Sequence, residues 1–326
     1  MTRQFFAPFF AISLFTALAS QAKAPTAPKL PESPVYLTED EAAAAGPDYK
    51  LQGEYAGATM GANVVALGDG EFRLVLFPGG LPGAGWDGTP KIEVEGRREG
   101  DGVLFRNSAE FATLSEGALK IKGTGLVLNR LIRHSPTEGL GAPKGAIILF
   151  DGKSTDAWVR GKIDPRGCLN ANTKTKEAFT DVKLHVEFFL PFKPLSRGQD
   201  RANSGLYLQH RYEVQVLDSF GLEGLDNECG GIYKHAAPKV NMCFPPLQWQ
   251  TYDIEFTAAK FDSEGKKTSN AVVSVRHNGV LVHDALELKS VTPAGAFQTE
   301  VPIPGPLFLQ SHGNFVVYRN IWVVPN

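Results

Sequence analysis

Residues 203–219 read Asn-Ser-Gly-Leu-Tyr-Leu-Gln-His-Arg-Tyr-Glu-Val-Gln-Val-Leu-Asp-Ser, and two short runs within them alternate apolar and polar side chains. Alternation with a period of two is typical of a β-strand that has one buried face. The runs at 205–209 and 212–217 therefore predict two adjacent strands, with the leucines and valines turned towards a core. The polar side chains on the opposite face are then Tyr207, Gln209, Glu213 and Gln215.

The same pattern recurs through residues 146–326. Val182–Phe189, Thr251–Phe256 and Val272–His277 all alternate. The pair Asn278-Gly279 favours a type I′ hairpin, because both central residues of that turn need a positive φ. No run here has a sustained 3.6-residue apolar period. Many short strands separated by turns predict an all-β sandwich of two antiparallel sheets.

Residues 48–135 predict a separate small domain, an antiparallel β-meander of six to eight strands. Short apolar runs such as Phe72–Phe77 are separated by glycine-containing turns, of which Gly68-Asp69-Gly70 is a strong hairpin signal. The Pro- and Gly-bearing stretch 136–145 is predicted to be a linker between this domain and the sandwich. The Pro- and Ala-rich residues 23–47 are predicted to be a linker or tether.

The first 22 residues have the features of a secretory signal peptide. Arg3 precedes an apolar run, Phe5–Leu18, and small residues follow. This run is shorter than the roughly 20 residues that a transmembrane helix needs. The sequence therefore predicts a secreted or periplasmic protein that is not inserted in a membrane once the signal peptide is removed. The net charge of −2, with no long basic block, argues against nucleic acid as a partner, and the oligomeric state stays open.

The predicted polar face suits a hydroxyl-rich ligand. Amides and a carboxylate supply hydrogen-bond donors and acceptors, and an aromatic ring supplies a flat apolar surface, which together are what a sugar requires. A plain solvated face, which would more often carry Lys, Thr and Ser, is the alternative. The candidate sugar-binding residues are Asn203, Tyr207, Gln209, Gln215, Glu228 and Gln310.

Glu213 and Asp218 are candidate catalytic carboxylates. Their spacing resembles the Glu-x-Asp-x-x-Glu pattern of laminarinase-type glycoside hydrolases, in which a strand irregularity brings both outer carboxyls to one face. A retaining glycosidase needs its nucleophile and its acid/base about 5–5.5 Å apart. The match is weak, because Gln215 stands at the central position and the last residue is the shorter Asp.

His312 is a candidate base on a loop. It lies in Gln310-Ser-His-Gly-Asn314, between two strong strand patterns, where a side chain next to glycine can reach over the mouth of a sheet. Arg319, in the last strand, is a candidate fixed cation beside it. Together they would supply a base and a positive charge.

A series of motifs resembles the bacterial 3-keto-disaccharide hydrolase family over residues 146–326. Each motif is weak alone, but the set keeps its order and spacing. The motifs are Leu149–Lys153, Trp158, Asn203–Leu208, Tyr212–Ser219, Trp249–Ile254, His277–Val280, Gly305–Gly313 and Val317–Trp322. The departures are minor, since Ser311 stands where Asp is common and Tyr318 where Phe is common. The N-terminal region resembles an extension found in some exported members.

The resemblance implies a concanavalin A-like jelly-roll sandwich that acts on glycosides oxidised at C3. The positions that match the family's polar motifs are Glu213, Gln215, Asp218, Glu228, His312 and Arg319. The chemistry requires a base, an enolate stabiliser and a proton donor for the leaving oxygen. His312 or Glu213 is the expected base, and Arg319 or a bound divalent cation is the expected enolate stabiliser. A Ca²⁺-type ion would be held by Asp218, Glu228 and carbonyl oxygens.

Three functions therefore compete at the level of sequence. The leading one is cleavage of 3-keto-glycosides, by elimination or net hydrolysis. The second is retaining hydrolysis of an unoxidised glucan by Glu213 and Asp218. The third is a lectin-like module that binds sugar without catalysis, because the same sandwich serves both roles.

Overall fold

The structure is a computed structural model that describes residues 33–326, and these form one compact unit. The predicted signal peptide and the first part of the predicted 23–47 linker lie outside the described residues. Two short helices open the described chain, α1 (Glu39–Ala45) and α2 (Asp48–Leu51). Thr38 caps α1, since its side-chain oxygen accepts a hydrogen bond from the Glu41 backbone N–H.

Eight consecutive strands close into a barrel. They are β1 (Gly53–Ala56), β2 (Met60–Gly68), β3 (Glu71–Pro78), β4 (Ile92–Glu99), β5 (Gly102–Arg106), β6 (Glu110–Ser115), β7 (Ala118–Ile121) and β8 (Val127–Leu131). Each strand pairs antiparallel with the next, and β1 pairs with β8 to complete the ring. The N-terminal β-meander predicted from sequence is confirmed, and its closure removes both edge strands.

The barrel packs directly against the C-terminal sandwich. Strand β2 is buried on both faces, so its sequence reads as a nearly continuous apolar run. Ala62, Val64 and Ala66 face the barrel core. Val65 faces outward and lies so close to Gly221 of the sandwich that a Cβ there would be 2.5 Å from it. Gly221 therefore allows the two parts to approach closely.

Residues 147–325 contain fourteen further strands. They are β9 (Ile147–Phe150), β10 (Trp158–Val159), β11 (Leu169–Asn170), β12 (Thr173–Thr175), β13 (Val182–Phe189), β14 (Ser204–Leu208), β15 (Tyr212–Val216), β16 (Trp249–Thr257), β17 (Lys260–Phe261), β18 (Lys267–Ser269), β19 (Ala271–His277), β20 (Val280–Leu288), β21 (Phe308–Ser311) and β22 (Val317–Pro325).

Two antiparallel sheets face each other in this part of the chain. The five-stranded sheet has the order β10-β12-β21-β14-β15, and the seven-stranded sheet has the order β11-β22-β13-β16-β19-β20, with β9 beside β22. Leu206 and Val214 from the first sheet and Phe188 and Ile254 from the second share one buried core. The predicted all-β sandwich is confirmed, and so is the Asn278-Gly279 hairpin, whose φ angles are 49° and 81°.

The segment predicted to be a linker binds the outer face of the seven-stranded sheet. Thr137 Oγ1 donates a hydrogen bond to Asp253 Oδ2 (2.7 Å), and the Gly139 N–H donates to Glu187 Oε1 (2.6 Å). Earlier in the chain, Tyr36 pairs through its backbone with Phe192 of the sandwich. Both predicted linkers thus contain ordered contacts within the described residues.

Candidate active site

A polar cavity lies on the outer face of the five-stranded sheet, where β14 runs between β15 and β21. Its volume is about 410 Å³. It is lined by Gln199, Asp200, Asn203, Glu213, Gln215, Tyr233, Ala294, Gln310, His312 and Asn314. Five residues predicted from sequence meet here: Asn203, Glu213, Gln215, Gln310 and His312. The period-two alternation of the strands is the reason, because it turns their polar side chains away from the shared core.

Gly205 forms the floor of this cavity. In the sheet it stands between Gln215 of β15 and Gln310 of β21. A Cβ at this position would lie 2.2 Å from Glu213 Oε1 and 3.1 Å from Gln310 Oε1. The missing side chain therefore makes the space in which the Glu213 carboxyl lies across the neighbouring strand.

The Glu213 carboxyl is buried, and one of its two oxygens accepts a hydrogen bond. The Tyr207 hydroxyl donates a hydrogen bond to Glu213 Oε2 (2.7 Å), and Gln310 Nε2 donates to the Tyr207 oxygen (3.1 Å). Glu213 Oε1 makes no hydrogen bond within residues 33–326. Burial raises the pKa of Glu213 from 4.5 to about 7, although the Tyr207 hydrogen bond lowers it in part. A carboxyl with this pKa can accept and return a proton near neutral pH.

Tyr207 donates a hydrogen bond to Glu213 but does not itself line the cavity. Its ring is fully buried beside Phe308, at 5.7 Å between ring centroids. Burial and the adjacent Glu213 carboxylate raise its pKa far above the ordinary value, so the hydroxyl stays protonated and remains a donor.

Amide side chains form one wall of the cavity. Gln215 Nε2 donates to Asn203 Oδ1 (2.8 Å), and Asn203 Nδ2 donates to Gln199 Oε1 (3.0 Å). This chain holds the three amides in fixed orientations. Gln310 Oε1 is buried and has no hydrogen-bond partner among the residues that the structure describes. A buried acceptor without a partner is costly, so a ligand donor at this point would be favourable.

His312 stands at the rim of the cavity on the loop between β21 and β22. Its ring is exposed and makes no hydrogen bond within the described part of the chain. The following Gly313 has φ 75°, a conformation that favours glycine. Asn314 is buried two residues later, where Lys193 Nζ donates a hydrogen bond to its Oδ1. Lys193 also donates to the Asp200 carbonyl oxygen (2.6 Å), so it ties two parts of the rim together.

Sequence reasoning missed Lys193, Asp200 and Gln199. They lie in the loop before β14, in a segment without alternation, so no periodic signal points to them. Tyr233 was also missed. It follows the Gly230-Gly231 pair in a loop whose backbone pairs with the edge of β15, since the Tyr233 N–H donates to the Glu213 carbonyl oxygen (3.1 Å).

The structure places four of the predicted residues away from the cavity: Gln209, Glu228, Asp218 and Arg319. Gln209 is in the turn after β14 at φ 53°, where its Nε2 donates to the Phe179 carbonyl oxygen (3.0 Å). Glu228 Oε2 accepts hydrogen bonds from the backbone N–H groups of Gly224 (2.6 Å) and Leu225 (3.1 Å) and stabilises its own loop. Asp218 is the third and Arg319 is the fourth.

Asp218 forms a buried ion pair. Arg201 donates to Asp218 Oδ2 from Nε (3.0 Å) and from Nη2 (2.7 Å), and the Phe220 N–H donates to Oδ1 (3.2 Å). Both carboxyl oxygens are bonded and the residue is 1% exposed. Asp218 is therefore positioned to order the chain after β15, and it does not stand beside Glu213 as the retaining-glycosidase pattern would require.

Arg319 lies on the other sheet. Its neighbour Tyr318 faces the sandwich core and hydrogen-bonds to Ser204 Oγ (2.7 Å), so Arg319 in the same strand faces the opposite, outer side. There Arg319 Nε donates to Glu187 Oε2 (2.6 Å). The expected pairing of Arg319 with His312 in one site does not occur.

The expected cation site at Asp218 and Glu228 has no support from side-chain geometry, because these carboxylates are bonded as described above. Within residues 33–326, no group of three or more His, Cys, Asp or Glu side chains is arranged to hold a metal ion. Across the same residues, no helix has both the length and the apolar character needed to cross a membrane.

The fold and the cavity define a β-sandwich protein with a polar cavity on the outer face of one sheet. The model of the 3-keto-alpha-glucoside-1,2-lyase-like domain matches residues 145–324, and the chain belongs to this family. The resemblance found in the sequence is thereby confirmed.

The chain is also similar to solved structures. One protein of Parabacteroides distasonis, whose provisional description is glycosyl hydrolase, is 33% identical with a TM-score of 0.52, over 57% of this chain and 85% of that chain. A second structure from the same organism, with the same description, is 16% identical with a TM-score of 0.41, over 56% of this chain and 94% of that chain. No curated protein sequence matches the chain.

Proposed function

We propose that this protein is an exported enzyme that cleaves 3-keto-glycosides by β-elimination, with Glu213 as the base. One observation carries the proposal: a buried carboxyl whose pKa is raised to about 7 presents one unbonded oxygen to a polar cavity. Family membership supports the substrate class. The features of a signal peptide in residues 1–22 support export.

The reaction needs only modest basicity from the enzyme, because the C3 ketone acidifies the proton at C2. Glu213 takes this proton, and the electron pair of the C2–H bond enters an enolate that spans C2, C3 and the ketone oxygen. The enolate expels the aglycone oxygen from C1 and forms a C1–C2 double bond. The aglycone leaves as an alcohol after it gains a proton, and addition of water across the double bond gives net hydrolysis. A positioned base of this kind contributes about 10²–10⁴-fold.

Other cavity residues have matching roles in this proposal. His312, exposed at the rim, donates the proton to the departing aglycone oxygen. Tyr233 supplies a hydroxyl that can donate to the ketone oxygen as negative charge develops there. The amides of Asn203, Gln215 and Gln310 hold the sugar hydroxyls. Tyr207 keeps the Glu213 carboxyl in place through its hydrogen bond.

Direct hydrolysis of an unoxidised glycoside is the second candidate. The pair Glu213 and Asp218 does not serve it, because Asp218 is bonded to Arg201 outside the cavity. Asp200, however, lines the same cavity as Glu213 and would provide a second carboxylate. A glycosidase of this kind would act on the parent sugar and would leave the C2 proton in place.

The deciding experiment compares 4-nitrophenyl 3-keto-glucosides of both anomers with the unoxidised 4-nitrophenyl glucosides in D₂O, with and without a chelator. We expect nitrophenol release from a keto substrate alone, and loss of the C2 hydrogen from the sugar product above the level seen without enzyme, with deuterium at C2 wherever D₂O has added across the double bond. Release from the unoxidised glucosides, or retention of the C2 hydrogen, would refute elimination. Binding of both sugars without release would indicate a lectin.

Two substitutions and a control tie the activity to the cavity. Glu213→Gln should lower turnover of the 4-nitrophenyl 3-keto-glucoside by about 10²–10⁴-fold, and His312→Ala should do so on a 3-keto-disaccharide, whose alcohol leaving group needs a proton. Glu255→Gln, which changes an exposed glutamate on the other sheet, should leave turnover within about twofold, because surface changes usually alter stability by less than 0.5 kcal/mol. Thermal unfolding of the same samples separates loss of function from loss of fold.

A further inference from the structure

A second set of cavities lies on the opposite side of the sandwich, on the outer face of the seven-stranded sheet. Two cavities of about 690 and 580 Å³ share Glu39, Leu247 and Trp249 in their walls. Each lies within the size range of small-molecule sites, roughly 300–1,000 Å³. Because they meet at Trp249, they form one extended groove between helix α1 and the sheet.

Aromatic rings and arginines form the wall around Trp249. The rings of Trp249 and Phe189 lie 5.0 Å apart, at 49° to each other. The guanidinium of Arg319 lies 3.8 Å from the centre of the Trp249 ring, and that of Arg166 lies 5.8 Å from the Phe189 ring. The groove thus combines apolar surface with planar donors whose orientation is set by stacking.

Arg319 and Arg166 are each paired with a carboxylate, and each keeps an N–H group without a hydrogen-bond partner in the described part of the chain. Arg319 donates from Nε to Glu187 and from Nη2 to Glu138, and Arg166 donates from Nε to Asp164. Within residues 33–326, Arg319 Nη1 and Arg166 Nη2 make no hydrogen bond. Because each guanidinium already has a carboxylate partner, the groove offers hydrogen bonds without a strong preference for a charged ligand.

We propose that this groove is a second, non-catalytic carbohydrate-binding site that holds a neutral oligosaccharide across Trp249. A sugar chain has apolar ring faces that pack on aromatic side chains and hydroxyls that accept from guanidinium groups. The extended form, with a cavity on each side of Trp249, fits several linked sugar units better than one. The choice of ligand class rests on the proposed function, whereas the groove itself does not.

The position of the groove makes it separate from the Glu213 cavity. Phe188 faces the sandwich core and its neighbour Phe189 faces outward, so the groove lies on one outer face of the sandwich. The Glu213 cavity lies on the outer face of the other sheet, with the whole core between them. A polymer held in the groove would keep the enzyme near its source of smaller glycosides.

The test measures binding alone, by calorimetry on the full chain with cellotetraose and maltotetraose as probes. We expect at least one of them to bind, and Trp249→Leu to weaken binding about tenfold or more, as truncation of a binding-site tryptophan commonly does. Asp151→Tyr is a second variant that fills the groove from an exposed position in its wall. Asp151→Tyr should weaken binding as well, and it serves as the test of the proposal if Trp249→Leu does not fold.

Two control variants keep this result apart from the proposed catalysis. Trp86→Leu removes a half-buried tryptophan that packs on Phe77 of the barrel, and Glu213→Gln alters the other cavity. Both should bind the tetrasaccharide like the unaltered protein. Absence of binding by the unaltered protein, or loss of binding in Glu213→Gln with retention in Asp151→Tyr, would overturn the proposal. Failure to cleave 3-keto-glycosides would leave this binding result untouched.

Discussion

The hydrogen bond from Tyr207 to Glu213 allows a quantitative prediction about the pH dependence of kcat/KM. Tyr207→Phe keeps the buried ring but removes the hydroxyl that stabilises the charged carboxylate at 2.7 Å. A hydrogen bond to a charged group contributes about 1.5–3 kcal/mol, and one pKa unit corresponds to about 1.4 kcal/mol. The pKa of Glu213, about 7 in the unaltered protein, should therefore rise by about 1–2 units.

The consequence for activity follows from the need for a deprotonated base. In the unaltered protein, kcat/KM should rise with pH through about 7 as Glu213 loses its proton. In Tyr207→Phe this acid limb should move upward by about 1–2 units, so activity at pH 7 falls by about 5–50-fold. Glu213 should still lose its proton well above the new pKa, because its carboxyl group is unchanged.

The assay is the pH profile of kcat/KM, together with infrared detection of the protonated carboxyl, assigned by its absence in Glu213→Gln. Tyr212→Phe is the matched control, since it removes the hydroxyl of a neighbouring buried tyrosine that donates to Glu300 (2.6 Å). That control should leave the acid limb in place. An unchanged or downward-shifted limb in Tyr207→Phe, or an equal loss at every pH, would refute Glu213 as the titrating base.

Three further predictions concern the residues that support the site. Gly205→Ala should reduce turnover by about 10²-fold or more with little change in thermal stability, because the new Cβ displaces the end of the Glu213 side chain and no backbone; equal turnover in the two proteins would contradict this. Asp218→Asn should lower the free energy of unfolding by about 3–5 kcal/mol, because it leaves the buried Arg201 charge without its partner. Chemical denaturation measures this loss, and an unchanged midpoint would show that the pair is dispensable. Burial opposes ionisation of Glu187, but hydrogen bonds from His185, Asn320 and Arg319 lower its pKa from 4.5 to about 2, so its contribution to stability should be present above pH 4.5 and lost as pH falls through about 2. Glu187→Gln should flatten that part of the stability curve, and an unaltered curve would speak against the contribution.

The strands that form the site were predictable because the alternation that specifies each of them lies within a few consecutive residues. Residues 205–208 and 212–216 alternate strictly, and one face of each strand must enter the core, so the faces of Tyr207, Glu213 and Gln215 follow from the pattern. The turn between Asn278 and Gly279 is likewise a property of two adjacent residues. The roles of Asp218 and Arg319 were not predictable, because each depends on a partner in another element that no local pattern specifies, Arg201 and Glu187 respectively.

The all-β class, the sandwich of residues 146–326, the family resemblance and the polar face that carries Glu213 could all be inferred from the sequence. These features repeat over a few residues, so local periodicity and turn chemistry are enough to specify them. Closure of the N-terminal strands into a barrel became evident from the three-dimensional structure, since it depends on the pairing of β1 with β8, across nearly the whole domain. The three-dimensional structure also shows which polar residues share a cavity. Burial raises the pKa of Glu213, and the pairing of β22 with β13 places Arg319 beside Glu187 on the far side of the core. Neither can be read from a short stretch of sequence.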